Sequence, residues 1–188
     1  MTVNELAALV VDACEAEGIA HMLTGAFAVS YYGVPRSTQD VDIVIDLSSP
    51  AAFNQLAARL HGQVTFDPQV QFDTLTWGRR HVGTTVLRPP LDVELFELFD
   101  DPFVREQFAR RTRVALSSAG RSLWLPTAED LIIQKIRWGR SKDIDDARDV
   151  LLVQGPASID LQYVGRWCSE HGTRDVLDEI LRELGELS

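Results

Sequence analysis

A glycine turn followed by an apolar strand with two aspartates constrains the fold of this 188-residue chain more than any other feature. The turn spans residues 23–26 around Gly25, and the strand runs from Asp40 as Asp-Val-Asp-Ile-Val-Ile. Positions i and i+2 of a strand point to the same face, so Asp40 and Asp42 are predicted to lie side by side. The β-branched residues that alternate with them are predicted to face a core: Val41, Ile43, Ile45.

Paired carboxylates on one strand predict a metal site. Two adjacent carboxylates repel each other unless a cation lies between them, and Mg²⁺ binds both carboxylate oxygens and substrate phosphates. A two-metal phosphoryl-transfer site needs a further carboxylate from a neighbouring strand. The predicted strand 91–96 offers Asp92 and Glu94, again at i and i+2, and either could be the third ligand. We predict that Asp40, Asp42 and Glu94 hold Mg²⁺, with Asp92 as the alternative catalytic carboxylate.

Residues before and after this strand suggest phosphate binding. Backbone N–H groups after a glycine turn at a helix start can cradle a phosphate, and Arg36 could bind one bidentately. The chain contains only two lysines, Lys135 and Lys142, among 18 basic residues. Lys135 lies on a mostly apolar predicted helix, so it either extends outward to solvent or reaches into a polar cleft that faces a triphosphate.

Composition narrows the classes of function. The net charge of −10 opposes non-specific binding to nucleic acid, and the arginine-rich segment 105–121 is predicted to be a solvated edge. No apolar run reaches membrane-spanning length, and the N-terminus lacks the pattern of a signal peptide. Cys14 and Cys168 are predicted to be buried thiols in a reducing compartment. A cytoplasmic protein without a membrane partner is expected.

Periodicity predicts a mixed N-terminal region, residues 1–125, and a helical C-terminal region, residues 126–188. Strands are predicted in five places: 19–23, 40–46, several within 63–98, 112–116 and 122–125. Helices are predicted after the cap residues Thr2 and Ser49, after the segment Asp100-Asp101-Pro102, and at five further places: 25–32, 127–138, 142–153, 159–171 and 173–187. Acidic residues occur at the start of several of these C-terminal helices. Helix capping is a purely structural explanation for them, and for Asp143 and Asp146 in particular. The predicted fold class is α+β.

Five blocks in combination resemble the polymerase-β-like nucleotidyltransferase superfamily, and in particular its small bacterial branch of AbiEii/MenT-type toxins. The blocks are the Gly25 turn, Arg36-x-Thr38-x-Asp40-x-Asp42, Asp92 or Glu94, Asp130-x4-Lys135, and Arg140-x-Lys142-Asp143-x-x-Asp146. The resemblance spans about residues 19–150. It implies a mixed sheet flanked by helices, followed by a helical region that completes the cleft.

The resemblance also implies an activity, in which NMP moves from an NTP to an acceptor hydroxyl with Mg²⁺ as cofactor. The acceptor could be a tRNA 3′ end, a protein hydroxyl or a small molecule such as an aminoglycoside. A toxin of this type would have an antitoxin protein as its partner. The residues implied to bind the nucleotide are Gly25, Ala26, Arg36, Thr38, Lys135, Lys142, Asp143 and Asp146.

One departure from the family pattern supports a different function. The family usually has Gly-Ser or Gly-Gly at the turn, whereas this chain has Gly25-Ala26 and therefore lacks a hydroxyl that could contact phosphate. The alternative is an inactive nucleotide-binding or partner-binding module with the same fold.

Overall fold

The computed structural model describes residues 1–74, 78–116 and 121–186. They group into two compact units. The first, which we call the strand unit, consists of Met1–Phe27 and Ser37–Leu125. The second, the helical unit, consists of Ala28–Arg36 and Pro126–Ser188. The predicted regions, 1–125 and 126–188, assign the segment 28–36 to the first of them.

Elements of the chain up to residue 125 mix helices and strands. The helices are α1 Val3–Ala16, α2 Gly25–Tyr32, α3 Pro50–Leu60 and α4 Pro102–Arg110. The strands are β1 Ala20–Leu23, β2 Asp40–Asp46, β3 Val64–Phe66, β4 Gln71–Asp73, β5 Gly78–Thr85, β6 Asp92–Glu97, β7 Thr112–Leu116 and β8 Arg121–Leu125. The capping box expected at Thr2 is present, because Thr2 and Glu5 exchange side chain to backbone hydrogen bonds.

The main sheet is mixed, with strand order β1-β2-β6-β5-β3, and β4 also pairs with β5. Only the β2–β6 pair is parallel among these ladders; the others are antiparallel. Strands β7 and β8 form a separate antiparallel pair. This mixed sheet with flanking helices confirms the predicted fold class.

One face of the sheet is a hydrophobic core, as the alternation in β2 predicts. Its fully buried residues are Val41, Ile43, Ile45, Val93 and Leu95. Helices α1 and α3 add their own fully buried side chains, which include Leu6, Val10, Leu56 and Leu60. The opposite face is only partly covered, by a small cluster in which Met22 and Val44 of the sheet pack with Phe108 of α4. The carboxylates predicted for the site lie on this second face.

The arginine-rich segment is largely engaged in local contacts. Arg105 Nε is 2.7 Å from Asp100 Oδ1, and the guanidinium of Arg111 lies 4.1 Å from the ring centroid of Phe108. The side chain of Arg121 lies outside the described residues. In the described part, this segment is therefore built into the surface of the strand unit.

The helical unit contains α5 Ala128–Trp138, α6 Ser141–Gln154, a 3-10 turn Pro156–Ser158, α7 Leu161–Glu170 and α8 Arg174–Glu186. The predicted helices differ from these by at most two residues at either end. Helix α5 begins at the Thr127 cap and ends at Gly139, whose φ of 68° is left-handed. None of the helices in the described part of the chain combines the length and the apolarity needed to span a bilayer.

Candidate active site

The register between β2 and β6 brings the predicted carboxylates onto one sheet face. Asp40 lies opposite Asp92, and Asp42 lies opposite Glu94. Neighbouring strands are about 4.8 Å apart, and residues in register on parallel strands point to the same side. The four carboxylates therefore form two adjacent pairs on the partly covered face.

The Gly25 turn lies directly against this group. Gly25 has a φ of 59°, and a Cβ built on it would overlap Oδ2 of Asp42 and lie 2.8 Å from its Cγ. The backbone N–H of Thr24 donates to the carbonyl oxygen of Asp42 over 2.9 Å. Both the conformation and the space at this position therefore require glycine. Ala26, which follows it at the start of α2, is buried.

Threonine side chains hold the two more exposed carboxylates. The hydroxyl of Thr38 donates to Asp40 Oδ1. On the neighbouring strands, the hydroxyl of Thr84 donates to Asp92 Oδ1 over 2.9 Å. Thr38, predicted to bind nucleotide, therefore orients a predicted metal ligand in this structure.

Glu94 is held by an arginine that the sequence did not point to. Arg80 Nη1 donates to both carboxylate oxygens of Glu94, at 3.2 and 3.0 Å, and lies 3.4 Å from Asp73 Oδ2. Its Nε and Nη2 atoms donate to Gln71 Oε1 at 3.3 and 3.0 Å. Burial raises the pKa of Glu94; Arg80 opposes that shift, and the negative charges of Asp40 and Asp73 add to it.

The donor set suits a hard divalent cation by its chemistry. Carboxylate oxygens are the ligands that Mg²⁺ prefers, and Asp40, Asp42 and Glu94 share one face beside a turn that leaves no room for a Cβ. Within residues 1–74, 78–116 and 121–186, no three His, Cys, Asp or Glu side chains are grouped so that they could hold a metal ion. In this structure the carboxylate of Glu94 is bound by Arg80, so a cation held by Asp40, Asp42 and Glu94 would compete with Arg80 for it.

A chain of alternating charges lies in the helical unit. Lys135 of α5 is 2% exposed, and its Nζ is 3.1 Å from Asp143 Oδ1 and 2.8 Å from Asp146 Oδ2. Arg36 binds the carboxylate of Asp146 through Nε and Nη2, at 3.2 and 3.4 Å. Arg140 binds that of Asp143 through the same two atoms, at 2.5 and 3.1 Å. The order of charges is thus cation, anion, cation, anion, cation.

This network excludes two of the alternatives that the sequence leaves open. Lys135 does not extend outward to solvent, because two carboxylates from α6 bind its ammonium group inside the protein. Asp143 and Asp146 do not cap α6, whose N-terminal residue Arg140 makes no side-chain capping bond. They lie three residues apart on one face of α6 and are buried against α5 instead. Lys142, the other lysine, is exposed.

Asp143 and Asp130 are both buried in the helical unit, and their carboxylates are bound by neighbouring side chains. Burial raises the pKa of Asp143, but its bonds to Arg140 and Lys135 outweigh burial, and the pKa falls below its ordinary value. Asp130 is fully buried and accepts hydrogen bonds from Thr127 and from the hydroxyl of Tyr163 at 2.9 and 2.7 Å. Asp130 thereby ties α5 to α7.

Comparison with known proteins places the fold. No family model matches the chain, and no curated protein matches it. Solved structures do: ANT(2″)-Ia in complex with adenylyl-2″-tobramycin has a TM-score of 0.59 at 15% identity, over 90% of this chain and 97% of that one.

Two further solved structures have a fold similar to that of this chain. An antigenic nucleotidyltransferase-like protein from Paracoccidioides brasiliensis has a TM-score of 0.57 at 20% identity, over 97% of this chain and 94% of that one. JHP933 from Helicobacter pylori has a TM-score of 0.55 at 13% identity, over 89% of this chain and 71% of that one. Similarity at these identities concerns the fold, and the chain has a nucleotidyltransferase-like fold.

Proposed function

We propose that the chain is a Mg²⁺-dependent nucleotidyltransferase that moves NMP from an NTP to an acceptor hydroxyl. The observation that carries this proposal is the register of β2 and β6, which puts Asp40, Asp42, Asp92 and Glu94 on one face beside the Gly25 turn. The likeness of the fold to solved nucleotidyltransferases supports it.

Each residue has a proposed role in the transfer. Asp40, Asp42 and Glu94, or Asp92 in its place, would hold the cation, which neutralises charge on the phosphates when bound. The N–H groups of Gly25 and Ala26 and the guanidinium of Arg36 would bind phosphate oxygens. The remaining carboxylate takes the proton of the acceptor hydroxyl as its oxygen attacks the α-phosphorus. The bond from that phosphorus to the bridging oxygen breaks, and pyrophosphate leaves.

Among the acceptors open from the sequence, charge favours a small cationic molecule over RNA. The chain carries a net charge of −10, which repels a polyanion but attracts a polyamine. The ANT(2″)-Ia structure holds an adenylylated tobramycin, and its fold matches this chain over 97% of its length. We therefore place an aminoglycoside-like acceptor first. A tRNA or protein acceptor, and with it membership of the AbiEii/MenT-type branch and an antitoxin partner, is the second possibility.

Calorimetry followed by a transfer assay tests the activity. Titration with each NTP should show binding that depends on Mg²⁺, and pyrophosphate release should follow when the acceptor is added. Asp42→Asn should abolish release with the fold intact. Asp46→Asn is the matched control, since Asp46 is an exposed residue on the same face of β2, beyond the carboxylate group. Unchanged turnover in Asp42→Asn would contradict the mechanism.

Labelled NTP then identifies the acceptor class. The protein is incubated with total RNA, with total protein and with aminoglycosides in separate reactions, and the labelled fraction is identified. Label in the aminoglycoside fraction supports the preferred acceptor. Label in RNA or protein instead supports the toxin-like acceptor.

The inactive binding module remains the second candidate, and two observations favour it. Ala26 lacks the hydroxyl that the family usually places at the turn, and Glu94 is engaged by Arg80. Binding of NTP without pyrophosphate release in any reaction would support the module over the enzyme.

A further inference from the structure

Lys135 is the centre of the ion network in the helical unit, and its ammonium group binds two carboxylates at once. An ammonium group has three N–H donors. Two point to the carboxylates of Asp143 and Asp146, at 3.1 and 2.8 Å. The nitrogen also lies 5.1 Å from the ring centroid of Trp138, within the range of a cation–π contact. The charge of Lys135 is therefore engaged by its own protein, through two carboxylates and an aromatic ring.

The positive charge of the network is carried at its surface. Three cations and two carboxylates leave a surplus of one positive charge. Lys135, Asp143 and Asp146 are buried, whereas the side chains of Arg36 and Arg140 are 41% and 46% exposed. An approaching anion therefore meets a guanidinium group before it could meet the ammonium group of Lys135.

Asp146 connects the buried cation to the exposed one. One oxygen, Oδ2, binds Lys135, and Oδ1 binds Nε of Arg36, so the carboxylate bridges the two. Arg36 commits Nε and Nη2 to this carboxylate out of its five N–H donors. Because Lys135 holds Asp146 in place, it sets the orientation of a guanidinium group that it does not touch.

The backbone before Arg36 is fastened to the helical unit by independent contacts. The hydroxyl of Tyr32 donates to the carbonyl of Pro126 over 2.9 Å, and Gln154 Nε2 donates to the carbonyl of Tyr32 over 2.6 Å. Gly33 packs so closely that an added Cβ would lie 3.2 Å from Val150 Cγ2. Loss of the Asp146 contact would thus release the guanidinium group rather than the backbone.

We propose that Lys135 is a positioning residue: its buried ammonium group holds Asp146, and Asp146 holds Arg36 so that Arg36 meets a phosphate group of the nucleotide. This inference rests on the proposed function for the identity of the anion. It assigns the phosphate contact to Arg36 and an indirect role to Lys135, contrary to the direct contact that the resemblance implies.

A double-mutant cycle separates the two roles. Arg36→Gln should raise the Kd for ATP about tenfold or more, the effect expected for one charge-assisted hydrogen bond. Lys135→Met should raise it by a similar factor, and the double variant should be no weaker than the weaker single variant. If the factors multiply in the double variant, Lys135 binds phosphate by itself and the inference is overturned.

The cycle has a second form and a control. Lys135→Met leaves two buried carboxylates short of a cation, and its Tm should fall by roughly 6–20 °C. If it does not fold, Asp146→Asn takes its place, since it breaks the same bridge but keeps the Lys135–Asp143 pair; the same non-additivity with Arg36→Gln is expected. Arg148→Gln is the control and should leave the Kd unchanged, because Arg148 lies on the same helix as Asp146 but pairs with Asp145 of α6 and Glu183 of α8.

Amine acylation followed by mass spectrometry tests the burial of Lys135 without reference to activity. The chain has only two lysines, so their rates can be compared directly. Lys142 should react rapidly, and Lys135 should react only on unfolding, with or without ATP. A native Lys135 that reacts as fast as Lys142 and is protected by ATP would overturn the inference. If the wild-type protein binds no NTP, the proposed function is overturned instead. The acylation rates would then still test whether Lys135 is buried in the ion network.

Discussion

Gly25 and Asp42 approach each other so closely that no side chain can be added at position 25. A Cβ there would overlap the carboxylate of Asp42, and the φ of 59° would strain any L-residue with a side chain. The carboxylate of Asp42, a predicted metal ligand, thus occupies the space that a Cβ at position 25 would fill. Substitution of this glycine should act on the site and not only on the backbone.

Gly25→Ala should lower the free energy of unfolding by about 2–5 kcal/mol, from left-handed strain and the overlap together. NMP transfer should be lost at the same time, because Asp42 must move. Gly18→Ala is the matched control: Gly18 has a φ of 65°, but an added Cβ there meets nothing within 4 Å. It should cost only about 1–2 kcal/mol in urea unfolding and leave transfer unchanged. Equal losses in both variants would show that the Asp42 contact has no effect.

Arg80→Gln should destabilise the strand unit because Glu94 would remain half-buried without its cation. The lost charge-assisted bonds predict a cost of about 1–3 kcal/mol in urea unfolding at pH 7. At pH 3 the carboxyl group of Glu94, whose pKa burial raises, is largely protonated, so the difference from wild type should shrink. Arg79→Gln is a suitable control, since Arg79 is 59% exposed and pairs weakly with Glu97 at 3.6 Å. A difference that persists unchanged at pH 3 would contradict the electrostatic explanation.

The contrast between Asp42 and Arg80 shows how far the sequence determines the site. Alternation within β2 predicts that Asp40 and Asp42 share a face, because the period of two is local. The contact of Arg80 with Glu94 depends on the antiparallel register of β5 with β6, which places Arg80 opposite Phe96. That register is set by the chain between residues 85 and 92, where no pattern in the sequence specifies it.

For the helices too, spacing in the sequence predicts which residues share a face but not which faces pack together. Spacing alone shows that Asp143 and Asp146 share a face of α6 and that Lys135 lies on an apolar helix. Whether that face packs on Lys135 depends on the turn at Gly139, which sets how α6 returns along α5. The ion pair between Arg36 and Asp146 cannot be predicted from local spacing, because the two residues are 110 positions apart in the sequence. A cation on an apolar helix followed by a D-x-x-D pair is the signal that could have predicted a buried ion pair.

Tyr163→Phe should destabilise the helical unit by about 1–3 kcal/mol, because fully buried Asp130 would lose a 2.7 Å hydrogen bond. Thermal unfolding measures this cost. Nucleotide affinity should not change, since the bond ties α5 to α7. A change in affinity with an unchanged Tm would instead indicate that Asp130 acts on the nucleotide.

The bonds to Asp143 predict a loss of stability in acid. Its folded-state pKa is lowered, so the stability that it contributes is fully present above its unfolded-state pKa of about 3.9 and is lost as pH falls through the lower folded value. Asp143→Asn should be less stable than wild type at pH 7. Its free energy of unfolding should fall less steeply than that of wild type below about pH 4. Parallel pH profiles for the two proteins would contradict this assignment.

The two cysteines should be unreactive in the folded protein. Both are free and buried; burial raises the pKa of Cys14 to about 12 and also raises that of Cys168. Because the thiolate is the nucleophile, the raised pKa values and the burial both slow the reaction of the thiols at pH 8. A thiol-specific disulfide reagent should therefore titrate neither cysteine in buffer and both in urea. Rapid reaction of one thiol in buffer would show that its helix opens locally, and the Ser variant of each cysteine would identify which one reacts.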